Sequence, residues 1–202
     1  DGCVHEGFVA SRQGLPMIPA LAETIAITKY LLMIEATGVR AHFGLLSCGA
    51  SVALIKTAKE KGLPVTCDVA MHQLHLTDHL IDGFNTLAHV RPPLRSEQDK
   101  HMLRQGLKDG VIDAICTHHE PLSSSAKMAP FAETQSGFTA FDSYVPFGIQ
   151  LITEGLFTPL EWVEKGTLAP AKVADMLERW QKEAGWVLVD PELKWTMTKD
   201  SM

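Results

Sequence analysis

Apolar and polar positions alternate along this chain in two rhythms, one helical and one extended. Pro19 followed by 20–37 predicts a helix, because proline is tolerated in a first turn, Leu21, Ile25, Tyr30 and Leu32 supply apolar faces, and Gly38 ends the run. A second helix is predicted over 51–61, with Val52, Ile55 and Ala58 on one face and Gly62 as its stop. Ser96 with Asp99 three residues on forms a capping-box start for a helix reaching about Lys108, stopped by Gly110. Residues 138–154 are largely apolar and predict a helix that Pro146 should kink. Thr158, Pro159 and Glu161 open another helical start, and 172–182 predicts a last helix.

Between these helices lie short apolar runs at 40–46, 64–69, 111–116 and 186–189, with Val90 as a further short extended piece before Pro92 and Pro93. Residues 123–136 read as a polar loop. Strands and helices alternating at this spacing predict βαβ units around a parallel sheet, an α/β fold with four strand–helix units. A closed eight-stranded barrel typically needs ~250 residues, so the units here make about half of one. The chain also opens at Asp1 in mid-motif, and a piece of a larger domain is expected.

Composition narrows the function. The net charge is −6 with acids and bases mixed, which argues against a nucleic-acid partner, since that would require a basic patch. No apolar run reaches the ~18–20 residues of a membrane span; the longest, Tyr30 to Ile34, is far shorter. Cys3, Cys48, Cys67 and Cys116 form no C-x-x-C pair and read as free thiols, which predicts a reducing, cytoplasmic setting.

In parallel barrels the chemistry sits just after each strand. The residues there carry a specific resemblance. The run Arg91-Pro92-Pro93-Leu94-Arg95 resembles the "NPPLR" signature of dihydroorotases, and residues 110–121 resemble their "DGTID-IATDHAP" stretch. Residues 65–74 are similar to "VTAEVTPHHL", and His5-Glu6-Gly7 with residues 14–19 to "HEG…LGLPGIP". These motifs occur in the family's order from Asp1 to about Trp195. The resemblance implies that 1–202 is part of one amidohydrolase-like domain, the C-terminal half of a (β/α)8 barrel. The N-terminal half would carry the His-x-His metal pair and further ligands.

The departures from the family pattern predict loss of chemistry. The His of "H-[LV]-S-T" is Leu45 here, which has no lone pair for a metal. The Asp of "TDHAP", a ligand and acid/base in the family, is His118; imidazole binds zinc but titrates near pH 6.5 and does not reproduce a carboxylate. The Asn before "PPLR" is Arg91, and the substrate-contacting His after "DHAP" is Leu122. No catalytic residue and no cofactor are therefore expected. The resemblance to degenerate dihydroorotase homologues implies a non-catalytic subunit that supports aspartate transcarbamoylase, an oligomer whose partners are that enzyme and its own N-terminal half.

Two alternatives are kept open: a working zinc dihydroorotase rebuilt on His72, His118 or His119, and a binding module in which Arg91 and Arg95 contact a small acidic ligand. Other residues read blandly. His42 is expected to pack or hydrogen-bond. His72, His75 and His79 read as loop or core histidines, and Glu23 and Glu35 as solvated helix residues. Asp68 and Glu120 form a conceivable acid–base pair. Cys48 lacks an orienting base.

Overall fold

The computed structural model describes residues 2–182, 186–189 and 195–196. Two short strands, β1 (Val4–His5) and β2 (Met17–Ile18), pair in parallel and flank helix α1 (Phe8–Gln13). Helix α2 (Ala20–Thr37) leads into β3 (Arg40–Phe43), then α3 (Gly49–Glu60) and β4 (Val65–Ala70). Short 3-10 turns carry the chain to α4 (Glu97–Lys108) and β5 (Ala114–Cys116). Helices α5 (Phe141–Thr153), α6 (Pro159–Val163) and α7 (Ala169–Lys182) follow, with β6 (Trp186–Val189) and β7 (Trp195–Thr196).

Among the described residues β3 to β7 form one open five-stranded sheet in the order β5-β4-β3-β6-β7. It is parallel throughout except for the β6–β7 pair. Its register sets Ala41 opposite Val65 and Asp68 opposite Ala114. The C-terminal ends of β3, β4 and β5 therefore lie side by side. One core cluster joins the sheet residues Phe43, Cys67, Val69 and Ile115 to Ile27 and Ile34 of α2, Ile55 of α3, and Leu103 and Leu107 of α4. Burying each such aliphatic side chain contributes about 1.5–3 kcal/mol. A second cluster packs Val4, Val9 and Leu15 against Ile81, Val90 and Leu94.

The predicted helix at 20–37 forms with Gly38 as its left-handed cap (φ +69°). Its buried face differs from the expected one. Glu23, Ala26, Ile27, Tyr30 and Ile34 point inward, while Leu21, Ile25 and Leu32 are 60–63% exposed. Both capping boxes, at Ser96/Asp99 and Thr158/Glu161, are present. The extended piece at Val90 is not a strand. Pro92 and Pro93 have no N–H to give a ladder, and the carbonyls of both accept from Gln73 Nε2 instead (3.0 and 3.2 Å). The strand predicted over 111–116 is shorter at its start, because Val111 and Ile112 donate their N–H groups back to Gly106 O at the end of α4. Helix α5 runs through Pro146.

Candidate functional site

The loops after β3, β4 and β5 bring together most of the residues singled out from the sequence. Leu45 and His118 both adopt left-handed backbone, at φ +58° and +47°. That conformation is costly for a residue with a Cβ and is seen chiefly where the surroundings impose it. The loops thus keep a special geometry at the two positions whose side chains depart from the family's ligand pattern.

Beside Leu45, Asp68 on β4 is engaged by three donors. Its Oδ1 accepts the Leu45 N–H (2.8 Å) and the Cys116 thiol (3.5 Å), and its Oδ2 accepts from His42 Nε2 (2.9 Å). His42 Nδ1 lies 2.8 Å from Thr66 Oγ1, so both ring nitrogens are used and the bonding role expected of this residue is met. Asp68 does not pair with Glu120, which instead faces His118 Nε2 at 3.5 Å. Cys116 is pushed well above the ordinary thiol range by burial and by Asp68.

The second polar cluster was not legible as one. Glu23 and Arg95 are 4% and 3% exposed and lie 3.6 Å apart. Glu23 Oε1 accepts the backbone N–H groups of Ser47 (3.1 Å) and Cys48 (3.3 Å), and Oε2 accepts the Ser47 hydroxyl. Those N–H groups belong to the N-cap Cys48 and the residue before it, at the positive N-terminal end of α3, where a carboxylate is favoured. Arg95 donates to Ser47 Oγ (2.9 Å), to Ile18 O (2.8 Å) and to His5 Nδ1 (3.3 Å). Glu23 is thus not the solvated helix residue expected. Its spacing from Ile27, Tyr30 and Ile34, at i, i+4, i+7 and i+11, is the signal that places it on the buried face. Arg95 is buried and faces Ser47, Ile18, His5 and Glu23 inside the fold, which removes it as an anion contact at the surface. Arg91 donates to Gly2 O (2.7 Å) and so ties down the start of the chain. Cys48 is buried against Glu23, and burial followed by that carboxylate pushes its thiol up to about 11, which removes the thiolate a nucleophile needs.

Zinc can be tested against the donors present. His72 is 1% exposed and neither of its ring nitrogens has a partner; burial, then His118, pushes it down to about 3. His118 stacks on it with ring centroids 5.5 Å apart, and its Nδ1 is also unpartnered. His119 is turned away: its Nδ1 accepts the N–H groups of Ala140 (3.2 Å) and Phe141 (3.1 Å) at the start of α5. His75 stacks on Phe147 at 4.3 Å. Zinc sites take three or four converging protein ligands. Among the described residues no three His, Cys, Asp or Glu side chains converge to hold a metal. His72 and His118 come together, His119 does not join them, and Leu45 offers no donor. The donor set of this chain does not fit zinc by itself.

Comparison with known proteins agrees with the motif reading. A dihydroorotase-like protein of Pseudomonas aeruginosa is 46% identical over 155 residues, 77% of this chain and 37% of its own length. One of Pseudomonas putida is 42% identical over 194 residues, covering 95% of this chain and 46% of the relative. A dihydroorotase of Desulfotalea psychrophila is 36% identical over 199 residues, 96% of this chain and 47% of that protein. The chain belongs to the dihydroorotase family. It spans about half the length, or less, of the curated relatives it matches. No protein-family model matches it.

Solved structures support the fold. The L-hydantoinase of Arthrobacter aurescens aligns with TM-score 0.68 at 23% identity, over 74% of this chain and 34% of that one. An inactive dihydroorotase-like domain of a Chaetomium thermophilum multifunctional protein aligns with TM-score 0.56 at 21% identity, over 74% and 41%. The dihydroorotase-family chain shares its α/β fold with part of each of these proteins. Among its described residues no helix is long and apolar enough to cross a membrane.

Proposed function

We propose that this chain is part of a non-catalytic dihydroorotase-like subunit of pyrimidine biosynthesis that supports assembly of aspartate transcarbamoylase. The observation that carries the reading is the state of the strand ends. Asp68 is engaged by His42, the Leu45 N–H and Cys116, while Leu45 presents an aliphatic side chain where the family pattern has a ligand. These polar groups serve one another and leave little for a substrate. The named relatives point the same way: those called dihydroorotase-like share 46% and 42% identity, against 36% for the Desulfotalea dihydroorotase. The test is co-expression of the longer polypeptide containing this chain with the transcarbamoylase, followed by size exclusion and transcarbamoylase assay. Co-elution and a gain in assembly or activity are expected. A transcarbamoylase that assembles and works equally well alone, with no co-elution at low salt, would overturn the proposal.

One observation favours a second reading, an active zinc dihydroorotase that closes carbamoyl-aspartate to dihydroorotate. His72 is buried with both nitrogens unpartnered beside His118, an arrangement open to a ligand from elsewhere in a longer chain. Elemental analysis after zinc-supplemented expression separates the two. One tight zinc per chain, lost in His118→Ala together with dihydroorotase turnover, would favour the second.

A further inference from the structure

A cavity of about 550 Å³ lies beside the loop after β5, bordering the His72–His118 pair through Glu120 and Phe138. Leu87, Leu122, Met128 and Phe138 give it apolar walls, and Lys127 and Glu120 are the charged residues on its lining. Its volume falls in the ~300–1,000 Å³ range of small-molecule sites. The surrounding loop is fastened rather than loose. Glu120 N–H donates to Phe138 O (3.0 Å), Gly137 N–H to His89 O (3.0 Å) and Gln135 N–H to Ala126 O (3.1 Å). Gly137 is required there: its φ is +156°, and a Cβ would come within 2.8 Å of Glu120 O and Leu122 Cδ1. The wall is therefore set by backbone, which spares a ligand the cost of ordering it.

The charges choose the ligand. Lys127 Nζ donates to His89 O (2.9 Å) and Gln135 O (2.8 Å). An ammonium has three donors, so one remains for an anionic oxygen. Glu120 sits at the exposed rim, 52% exposed and facing His118, where solvent screens it. We propose that this cavity binds a small monocarboxylate with an apolar body, its carboxylate on Lys127 and its body against Leu122 and Phe138. The site is independent of the assembly role: a subunit without turnover can still take a ligand here.

Calorimetric titration with 3-phenylpropionate and with its neutral counterpart 3-phenylpropan-1-ol tests it. The acid is expected to bind saturably and at least about tenfold more tightly than the alcohol. Lys127→Met should bring the two together. Because Lys127 also holds the loop, Leu122→Asp is the second variant. It leaves the Lys127 bonds in place, and should weaken the acid at least about tenfold and the alcohol less. No saturable binding of the acid, equal binding of acid and alcohol by the unmodified protein, or an unchanged affinity in Leu122→Asp would each overturn the proposal.

Discussion

Glu23 is the residue on which the interior depends most visibly. It is buried, it accepts two N–H groups of the α3 start and a hydroxyl, and it faces Arg95. Removing one member of a buried ion pair leaves the other charge uncompensated, at about 3–5 kcal/mol. Glu23→Ala should lower stability by about that much in urea denaturation, whereas Glu35→Ala, at an exposed residue, should change little. Equal effects would show that the buried cluster does not stabilise the fold. A second expectation concerns titration. Burial, aided by His118, holds His72 down to about 3, and burial with Lys127 and Arg91 holds His89 to about 4, against an ordinary 6.5. Both imidazoles are neutral in the fold, while the unfolded chain takes up protons below 6.5. The unfolded state then binds more protons, so stability falls as pH drops from 6.5 towards 4. At pH 5 the loss is roughly 2 kcal/mol per group. His89→Gln should flatten the slope between pH 7 and pH 5 by about one group's share; a slope of opposite sign would contradict the burial account. At this scale motif alone singled out Leu45 and His118, and the structure places both on left-handed backbone just after β3 and β5. The burial of Arg95 was not legible from motif, because its partners Glu23, Ser47, Ile18 and His5 lie on separate elements that only the fold brings together.

The elements were legible where local chemistry decides them. Ser96 accepts the Asp99 N–H (3.1 Å), and Asp99 returns the bond to Ser96, as the sequence signature predicts. Ser96→Ala should therefore cost about 1 kcal/mol, read as a lower denaturation midpoint; an unchanged midpoint would show that the box does not hold α4. Helix α3 buries the predicted Val52, Ile55 and Ala58. Where tertiary context decides, the sequence was ambiguous. Helix α2 is apolar on most of its circumference, so counting apolar residues could not say which face turns inward. The polar Glu23 turned in while Leu21, Ile25 and Leu32 turned out. The stretch at Val90 has strand-forming composition, but the consecutive prolines after it cannot pair.

For the whole molecule, the sheet is open among the described residues, with β5 and β7 at its ends. Exposed apolar rows lie on α2 (Leu21, Ile25, Leu32) and on α5 (Phe141, Val145, Ile149). An open sheet edge and such rows are what natural proteins cover. The N-terminal half of the barrel and the transcarbamoylase are the partners proposed for them. Replacing Ile25 and Leu32 together by serine should weaken co-elution with the transcarbamoylase if α2 is the docking face; retained co-elution would move the interface elsewhere. Half-barrel architecture was legible from strand–helix spacing, whereas the sheet order was not, because β6 joins β3 from far along the chain.

The proposed non-catalytic role requires that the family's chemistry be absent. Restoring Leu45→His and His118→Asp together leaves Arg91 and Leu122 in place, and catalytic geometry depends on a supporting shell held to about half an ångström. The most direct measurement is interconversion of carbamoyl-aspartate and dihydroorotate by the longer polypeptide, expressed with zinc and freed of contaminating dihydroorotase, with and without this double substitution. No turnover above the protein-free rate is expected in either form. Turnover by the unmodified protein that is abolished in His72→Ala or His118→Ala would contradict it.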